Sequence, residues 1–549
     1  MKNILYLSVV LFFFCSSCGD FLEEYSQNST YVESVDDLDE LLLGSGYLSR
    51  NITGISSTGS LAYLHIMADE SKEMPVPNSS ISKSDQTWER MAGFYIWSEN
   101  PFTSYAGVAR ADGEWANFYT RISVLNSILL EAPNCKIEKD AEREQLSRVL
   151  GECYYLRAWN YFMLANLYGA AYDKSNLNDA ASVTLKLDPA IEDKKFSRAN
   201  TGEVYQQMVR DLIQAITLLE AGSTIESKVH VTTAAAYALL SRVYLYMEEY
   251  ELAVKAADQV KGYSLYHLVN RYTPGSGVAF LTSAQPEVIY TQGREVMSYV
   301  HGGTGYVNKT FTSWIDENGN LQYGYVDVPY VMGDSYVVSD ELLQLFDAND
   351  VRYSAFFARS YGKNYLVGRK YRAAINELIV ETDPITGTPV MPVADGLDFN
   401  EIASIRYAEV VLNKAEAQAC GGDAAAVETI RQFLETRYIT MPEIPAAGGA
   451  LIEFIRKERQ KELCFEGHRW FDLRRYAVNT VHKQAIPVTH EWHTRTTSEA
   501  VVEGSYTLKA YDNGVKGSWM LPAPEDVINY CFPLLSNFER GKGVIENLK

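Results

Sequence analysis

Apolar and small residues recur at helical spacing between residues 232 and 260, in the run TTAAAYALLSRVYLYMEEYELAVKAADQV. One face of the first half is apolar, and a second apolar face resumes after a short acidic break. The residues on these two faces are Tyr237, Leu240, Ser241, Tyr244, Tyr250, Ala253 and Ala257. Small residues let two antiparallel helices approach closely, so the pattern predicts a helix-turn-helix pair.

Two further stretches show the same paired pattern. The first joins residues 142–167 to residues 204–219 across a polar insertion, and the second covers residues 401–438. Gly421 and Gly422 interrupt the second stretch and form a natural helix stop. The spacing in all three pairs resembles that of tetratricopeptide repeats. We therefore expect a mostly α fold, built on a tetratricopeptide-like helical-repeat scaffold.

Residues 262–400 have a different character, because they are rich in Gly, Tyr, Val, Ser and Thr. Turn signals interrupt them, including Thr273-Pro274-Gly275, Glu317-Asn318-Gly319 and Asp383-Pro384. Short strands and long loops fit this composition better than helices do, and residues 51–102 look similar. Such loop-rich excursions from a rigid scaffold are common places for binding sites.

The N-terminal pattern predicts a segment that is removed. Lys2 is followed by an apolar stretch of 11 residues, Ile4 to Phe14, and Ser16-Ser17 precede Cys18. A membrane span needs roughly 20 apolar residues, so residues 1–17 are predicted to be a lipoprotein signal peptide. Cleavage before Cys18 leaves the thiol to carry lipid. A cleaved secretory protein without lipid is the alternative.

Composition restricts the partners. The chain has 70 acidic and 49 basic side chains, and its formal net charge is −21. A nucleic-acid binder needs a basic surface, so the balance argues against nucleic acid and is compatible with a neutral ligand. The chain also contains 38 Tyr, 21 Phe and 8 Trp. These side chains suit both cores and surfaces that stack on sugar rings.

A motif between residues 451 and 477 carries a family resemblance. The segment LIEFIRKERQKELCFEGHRWFDLRRYA resembles the signature of the SusD/RagB family of outer-membrane nutrient-binding lipoproteins. The positions that fill the signature are Ile455, Glu458, Arg459, Glu462, Leu463, Phe465, Glu466, Gly467, Arg469, Asp472, Leu473 and Arg475. Other segments resemble family landmarks in family order: CGDFLEE at 18–24, WANFYTRISVLNSIL at 115–129, YYLRAWNYFMLANLYG at 154–169, RYAEVVLNKAEAQA at 406–419, then LPAPEDVINY and FPLLSN.

The resemblance implies a function and a location. Family members capture an oligosaccharide or another nutrient and deliver it to a SusC-like TonB-dependent transporter. The acidic run after Cys18 is similar to the export tag of surface lipoproteins in the Bacteroidetes, which implies an outer-membrane protein facing the cell exterior. The body, residues 18–549, is expected to be one compact unit with an N-terminal part over about 18–220 and a C-terminal part over about 260–549. A RagB-like peptide binder and a purely structural transporter lid are the alternatives.

The charges of the signature admit two interpretations. A glycosidase would use two of these carboxylates as acid and base, but local helical spacing does not provide the required separation and cleft. Alternating acids and arginines instead form ion-pair networks readily. We therefore expect a structural role for Glu458, Arg459, Glu462, Glu466, Arg469 and Asp472, no catalytic residues and no cofactor.

Five aromatic residues in the excursions are candidate ligand contacts, with core packing as the alternative for each: Trp88, Tyr95, Trp97, Tyr299 and Trp314. Sugars stack on such rings while polar side chains bond their hydroxyl groups. In contrast, Trp115, Trp159 and Trp470 fall in segments that resemble family helices and are expected to pack in the core.

No metal site is expected. Asp347, Asn349 and Asp350 resemble a calcium loop only superficially, because the remaining ligands are missing. His490 and His493 are expected in a surface loop, since no cysteine partner is present to complete a zinc site. Cysteines outside the signal form no CxxC pair, and a buried free thiol is the common state for Cys153 and Cys464.

Overall fold

A computed structural model describes the chain over residues 32–48, 61–74, 87–104, 106–178, 180–190, 192–271, 280–292, 300–301, 305–315, 321–331, 336–359, 366–368, 370, 379–382, 389–390, 399, 402–495, 500–512 and 514–548. Only the backbone is described at residues 87–89, 271, 305–315, 321–331, 358–359, 366–368, 379–382, 389–390, 494–495 and 500. The predicted signal peptide, Cys18 and Tyr299 lie outside the described residues.

Helices form most of the regular structure in this part of the chain. The α-helices are α1 Val35–Leu41, α2 Thr87–Tyr95, α3 Gly113–Glu131, α4 Asp140–Tyr168, α5 Thr201–Ala221, α6 Thr233–Tyr246, α7 Tyr250–Asp258, α8 Leu268–Arg271, α9 Asp340–Leu343, α10 Arg352–Phe356, α11 Tyr407–Cys420, α12 Ala425–Leu434, α13 Gly448–Glu462, α14 Arg469–Val478 and α15 Glu525–Cys531. No helix among the described residues combines the length and apolar composition that a bilayer crossing requires.

The strands form several small sheets. They are β1 Ser71–Glu73, β2 Val288–Tyr290, β3 Gly305–Ile315, β4 Leu321–Val331, β5 Tyr336–Val338, β6 Phe357–Arg359, β7 Leu366–Gly368, β8 Ile379–Thr382, β9 Pro389–Val390, β10 Ile405–Arg406, β11 Val488–Arg495, β12 Ala500–Leu508 and β13 Val544–Leu548. The larger sheets have the orders β4-β3-β8-β9, in which β3 and β8 are parallel, and β11-β12-β13, which is antiparallel. The remaining pairs are β1 with β5, β2 with β10, and β6 with β7, all antiparallel.

The predicted helical pairs are confirmed, and with them the mostly α, tetratricopeptide-like fold class. The pattern over residues 232–260 forms α6 and α7, and the Thr232 side chain caps α6 by accepting from the Ala235 N–H at 3.2 Å. α11 packs against both helices. Ala253 of α7 and Ala417 of α11 are buried at one contact, where small side chains permit close approach.

The other two pairs follow the same principles. α4 and α5 approach so closely that a Cβ atom on Gly151 would lie 2.7 Å from Leu219 Cγ. α5 begins with a capping box in which Asn200 and Glu203 bond each other's backbone N–H groups. In the third pair, Gly422 adopts a φ of +75° between α11 and α12, a conformation that favours glycine.

The excursions contain the predicted strands together with helices that the composition did not indicate. Strands β2 to β9 lie between residues 262 and 400, but so do the short helices α8, α9 and α10. Residues 51–102 contain β1 and the nine-residue helix α2. Met91, Phe94 and Tyr95 of α2 are buried, so packing against the body stabilises a helix that is too short to form on its own.

One large cluster of buried apolar residues joins the repeat helices, and a second lies beneath the excursions around Phe280, Phe356 and Phe465. Trp115, Trp159 and Trp470 are buried in the large cluster, as predicted. Cysteines described by the structure are buried free thiols: Cys135, Cys153, Cys420, Cys464 and Cys531.

Candidate functional site

Two of the five candidate aromatic residues lie in the interior. Tyr95 ends α2, and Trp97 follows it with a φ of 52°, which turns the chain sharply. Both rings stack on the imidazole of His490, a residue of β11: the centroid of Tyr95 lies 4.1 Å away and that of Trp97 4.4 Å away. The side chain of Trp97 is only 1% exposed. This stack joins α2 to the β11-β12-β13 sheet.

Hydrogen bonds fix the stacked rings. Trp97 Nε1 donates to the carbonyl of Met67 at 2.9 Å, and the Tyr95 hydroxyl donates to the carbonyl of Glu491 at 3.1 Å. The same hydroxyl accepts from the N–H of Glu73 in β1 at 2.9 Å. Because their polar groups bond within the chain, Tyr95 and Trp97 act here as an anchor for the excursion.

The expectation that His490 and His493 lie in a surface loop is wrong. Both are buried on β11, where His493 Nδ1 lies 3.1 Å from a carboxylate oxygen of Glu73. Burial lowers the pKa of His490 to about 4, although the carbonyls of Tyr95 and Ala68 that face its ring nitrogens oppose this shift. No group of three or more His, Cys, Asp or Glu among the described residues is arranged to hold a metal ion.

For two of the other candidate aromatics, Trp88 and Trp314, the structure describes the backbone position. Trp88 is at the start of α2, about two helical turns before Tyr95. Trp314 pairs with Gln322 in the β3-β4 hairpin, one residue pair before its turn. The side chains of Trp88 and Trp314 lie outside the described part of the chain, as does Tyr299. Their role in binding stays a prediction.

The three glutamates of the family signature lie in a buried network of opposite charges. Its centre is Glu462, which accepts from Arg437 Nε and Nη2 at 2.9 Å each and from Arg406 Nη1 at 3.0 Å. Burial alone would raise the pKa of Glu462, but the guanidinium groups of Arg437 and Arg406 hold it well below the usual range. Five carboxylates and five cations take part: Glu287, Asp350, Glu458, Glu462 and Glu466 with Arg352, Lys370, Arg406, Arg437 and Lys461.

A second network joins the last signature helix to the repeat helices. Asp472 of α14 accepts from Arg459 at 2.8 Å and from Arg475 at 2.7 Å. Arg475 also forms two bonds to Glu416 of α11, at 2.9 and 2.7 Å. Burial opposes ionisation of Glu416, but Arg475 and Arg456 lower its pKa to about 2. These contacts connect α11, α13 and α14.

Arg469, the remaining signature cation, contacts the N-terminal half of the chain. It donates to both carboxylate oxygens of Asp69, at 2.7 and 2.6 Å. The neighbouring Glu70 accepts from the N–H of Phe465 in the signature at 3.4 Å. Burial and the nearby charge of Asp69 raise the pKa of Glu70 to about 8.

The signature charges do form ion-pair networks, but many of their partners lie outside the signature. Asp472 with Arg475 and Glu458 with Lys461 are local pairs, but Glu466 bonds Arg406 and Lys370, which lie 60 and 96 positions earlier. Sequence reasoning missed the partner residues Asp69, Glu287, Arg352, Lys370, Arg406 and Arg437. No local spacing could have indicated them, because the fold brings them to the signature.

The carboxylates in these networks are not accessible to a substrate. The signature carboxylates are at most 3% exposed and bond arginine or lysine side chains. Asp350, from the segment that resembles a calcium loop, likewise accepts two bonds from Arg352. A general acid or nucleophile must contact the reacting group of a substrate, which these buried, ion-paired carboxylates cannot do.

A cavity of about 320 Å³ lies between the C-terminal end of α5, the start of α6 and the segment after α7. Ser223, Thr224, Thr232 and Lys261 line it, with Tyr263 as its aromatic residue. These groups can bond hydroxyls, but they do not form an aromatic platform.

Comparison with known proteins identifies the class. Residues 20–245 match a SusD-like family model described as starch-binding and associating with the outer membrane, and residues 395–536 match the SusD family model of the SusD/RagB type. The chain is 25% identical to SusD-like protein P38 of Formosa agariphila over 389 residues, which cover 66% of this chain and 71% of the relative.

Solved structures share the fold. A SusD superfamily protein from Bacteroides vulgatus superposes with a TM-score of 0.62 at 20% identity, covering 93% of this chain and 100% of the other. Surface glycan-binding protein A from Bacteroides uniformis gives a TM-score of 0.60 at 16% identity, covering 91% and 99%. A helical-repeat body with strand-bearing excursions is thus common to these proteins. The chain belongs to the SusD family.

Proposed function

We propose that this protein binds an oligosaccharide or polysaccharide at the cell surface and passes it to a SusC-like TonB-dependent transporter. The observation that carries the proposal is the match of both halves of the chain to SusD family models, one of which is described as starch-binding. The glycan-binding protein from Bacteroides uniformis, which has the same fold, supports the same ligand class. The acidic net charge favours a neutral glycan over a phosphate-rich ligand.

The binding site in this proposal is an aromatic platform on the excursions. Trp88, Tyr299 and Trp314 are its candidate residues, since Tyr95 and Trp97 are buried. The buried stack on His490 would hold the base of α2, so that Trp88 is presented from a rigid element. A preorganised platform of this kind reduces the entropy lost when a flexible sugar chain binds.

We also infer that the signature carboxylates stabilise the fold and do not catalyse hydrolysis of the bound ligand. Its buried, ion-paired carboxylates support a structural role, and one of the two matching family models is described as starch-binding. A hydrolase would instead require two accessible carboxyl groups at the spacing that glycosidases use.

The proposed location of the protein in the cell rests on the predicted lipid at Cys18. The SusD-like family model describes association with the outer membrane. We infer that acyl chains on Cys18 hold residues 18–549 to that membrane on its outer face, beside the transporter. Stable anchoring of this kind requires more than one acyl chain.

A glycan array followed by calorimetry tests the function directly. The mature chain with Cys18→Ala provides a lipid-free protein, and glycans that bind on the array are titrated in solution. We expect micromolar or tighter binding of at least one neutral glycan and no release of reducing ends over hours. Binding of peptides without any glycan would overturn the proposal in favour of a RagB-like peptide importer.

A further inference from the structure

An apolar pocket of about 180 Å³ lies between α3 and the C-terminal segment of the chain. Its wall includes Trp115, Tyr119, Phe196, Val527, Cys531 and Leu535. The pocket is comparable in size to cavities that hold a benzene ring, so it can take one or two bulky apolar side chains.

The polar groups of the wall do not favour a sugar. The Tyr119 hydroxyl donates to the carbonyl of Thr184 at 2.9 Å, and Thr184 Oγ1 donates to the carbonyl of Ser197 at 2.9 Å. Lys186 Nζ bonds the carbonyl of Ala190 and the carboxylate of Glu192. Because these groups are already bonded, sugar hydroxyls would lose hydrogen bonds to water on entering.

Three exposed apolar residues, Tyr530, Phe532 and Leu534, lie beside the pocket wall along the chain and are called the α15 patch. These side chains are 51%, 64% and 54% exposed. Cys531 and Leu535 of the pocket wall are their neighbours in the sequence, which places the patch beside the pocket. Exposed apolar surfaces of this kind mark contacts with another segment or molecule.

Lys195 and Arg198 lie at this surface without a carboxylate partner among the described residues, while the carboxylate of Asp193 accepts from the Tyr530 hydroxyl at 3.2 Å. Lys195 Nζ donates to the carbonyl of Phe532, and Arg198 donates to the carbonyls of Tyr168, Ser182 and Ser536. These two cations can pair with the carboxylates of an acidic segment whose apolar side chains fill the pocket.

The chain contains such a segment before its first described residue. Asp20-Phe21-Leu22-Glu23-Glu24 places two apolar side chains among three carboxylates. Leu22 is ten residues before Val32, which allows a reach of roughly 33 Å. Ser34 contacts Cys135 just beyond the end of α3, and Tyr119 in the pocket wall is roughly 18 Å along α3 from Glu131. The pocket is therefore within reach.

We propose that residues 20–24 of this chain dock on the α15 patch, with Phe21 or Leu22 in the pocket and the acidic side chains near Lys195 and Arg198. Without docking, the chain between Cys18 and the first described residue can extend to roughly 45 Å. Docking would leave only the few residues between Cys18 and residues 20–24 as a flexible link. The body would then stand at one orientation close to the membrane. This last consequence depends on the proposed lipidation of Cys18, whereas the docking itself does not.

Photo-crosslinking tests the docking. The mature chain with Cys18→Ala carries a benzophenone amino acid in place of Phe21, and the crosslinks are mapped by mass spectrometry. We expect an intramolecular link to residues 527–535 or 184–198, at least a fivefold loss of that link with Phe532→Ser and Leu534→Ser together, and a similar loss with Lys195→Glu. Ile439→Ser, at a residue that is 67% exposed elsewhere, is the control and should change nothing.

Other outcomes would overturn the proposal. A link between two copies of the chain would assign the patch to self-association, and links elsewhere or none would show that residues 20–24 do not dock there. The melting temperature of each variant checks the fold, and hydrogen exchange at residues 527–535 should rise when Phe21 and Leu22 are both changed to Ser. Glycan binding by the same variants should stay unchanged. Loss of glycan binding by the patch variants alone would make the patch a glycan site and overturn the docking, whereas failure of the wild-type chain to bind any glycan would count against the proposed function only.

Discussion

Arg469 donates two hydrogen bonds to Asp69, a residue 400 positions earlier in the chain. Arg469 belongs to the C-terminal family segment and Asp69 to the N-terminal one. The paired, fork-like geometry is the strongest arrangement available to an arginine and a carboxylate. This contact supports the proposal that residues 18–549 behave as one compact unit.

The first prediction concerns this pair. Asp69→Asn leaves the Arg469 guanidinium, which is 6% exposed, without its counter-charge, and we expect a loss of about 2 to 4 kcal/mol in the free energy of unfolding. Urea denaturation measures it. Arg143→Ala, in the exposed pair with Asp140, should change stability by less than about 0.5 kcal/mol. Equal effects of the two substitutions would contradict the interpretation.

A second prediction concerns Glu466, which bonds both Arg406 and Lys370 in the interior. Removing its carboxylate with Glu466→Ala strands two buried cations, so we expect a loss of about 3 to 5 kcal/mol. Glu428→Ala is the control, since Glu428 pairs with Arg431 at the surface. A variant of Glu466 with wild-type stability that had lost turnover of a glycan would support an enzyme instead.

The sequence predicted the parts of this fold that depend on local pattern. Helical periodicity is a property of neighbouring residues, so α6 with α7 and α11 with α12 could be inferred directly. The partners of Glu466 could not, because they come from distant segments that only the folded chain brings together. His490 and α2 were misjudged for the same reason: their burial depends on packing between α2 and β11, which no local pattern encodes.

The third prediction is that the free energy of unfolding depends on pH because of Glu70. The folded chain keeps the Glu70 proton up to about pH 8, whereas an unperturbed glutamate releases it near 4.5. The unfolded state thus binds fewer protons between these values, and stability falls as pH rises through this window. Glu70→Gln stays neutral, so its stability relative to wild type should rise by about 2 to 4 kcal/mol from pH 5 to pH 8. Glu251→Gln, at an exposed site, should show no such trend.

The fourth prediction concerns location. If Cys18 carries the lipid, Cys18→Ala should leave the protein in the soluble fraction, whereas wild type fractionates with the outer membrane and incorporates labelled fatty acid. Cys135→Ala is the control, because Cys135 is a buried thiol of the folded body. Fatty-acid labelling of the Cys18 variant would show that the anchor lies elsewhere. Protease treatment of whole cells tests surface exposure separately.

The last prediction distinguishes tryptophans that contact ligand from tryptophans that pack in the core. Trp97 is buried, stacks on His490 and bonds the Met67 carbonyl, so Trp97→Ala should cost about 3 to 5 kcal/mol of stability. Trp88 is at the start of α2 and Trp314 is in the β3-β4 hairpin, and both remain candidates for the proposed platform. Alanine at either position should weaken glycan binding about tenfold, equivalent to roughly 1.4 kcal/mol, with little change in Tm.

Calorimetric titration and thermal unfolding of the same three variants distinguish the two roles. Substitution of a platform residue lowers the glycan affinity without changing Tm, whereas substitution of a core residue lowers Tm. If Trp88→Ala and Trp314→Ala both bind the glycan normally, the platform lies elsewhere on the protein. If neither variant nor wild type binds any glycan, a peptide ligand becomes the better explanation, because backbone hydrogen bonds to a peptide would not depend on an aromatic ring.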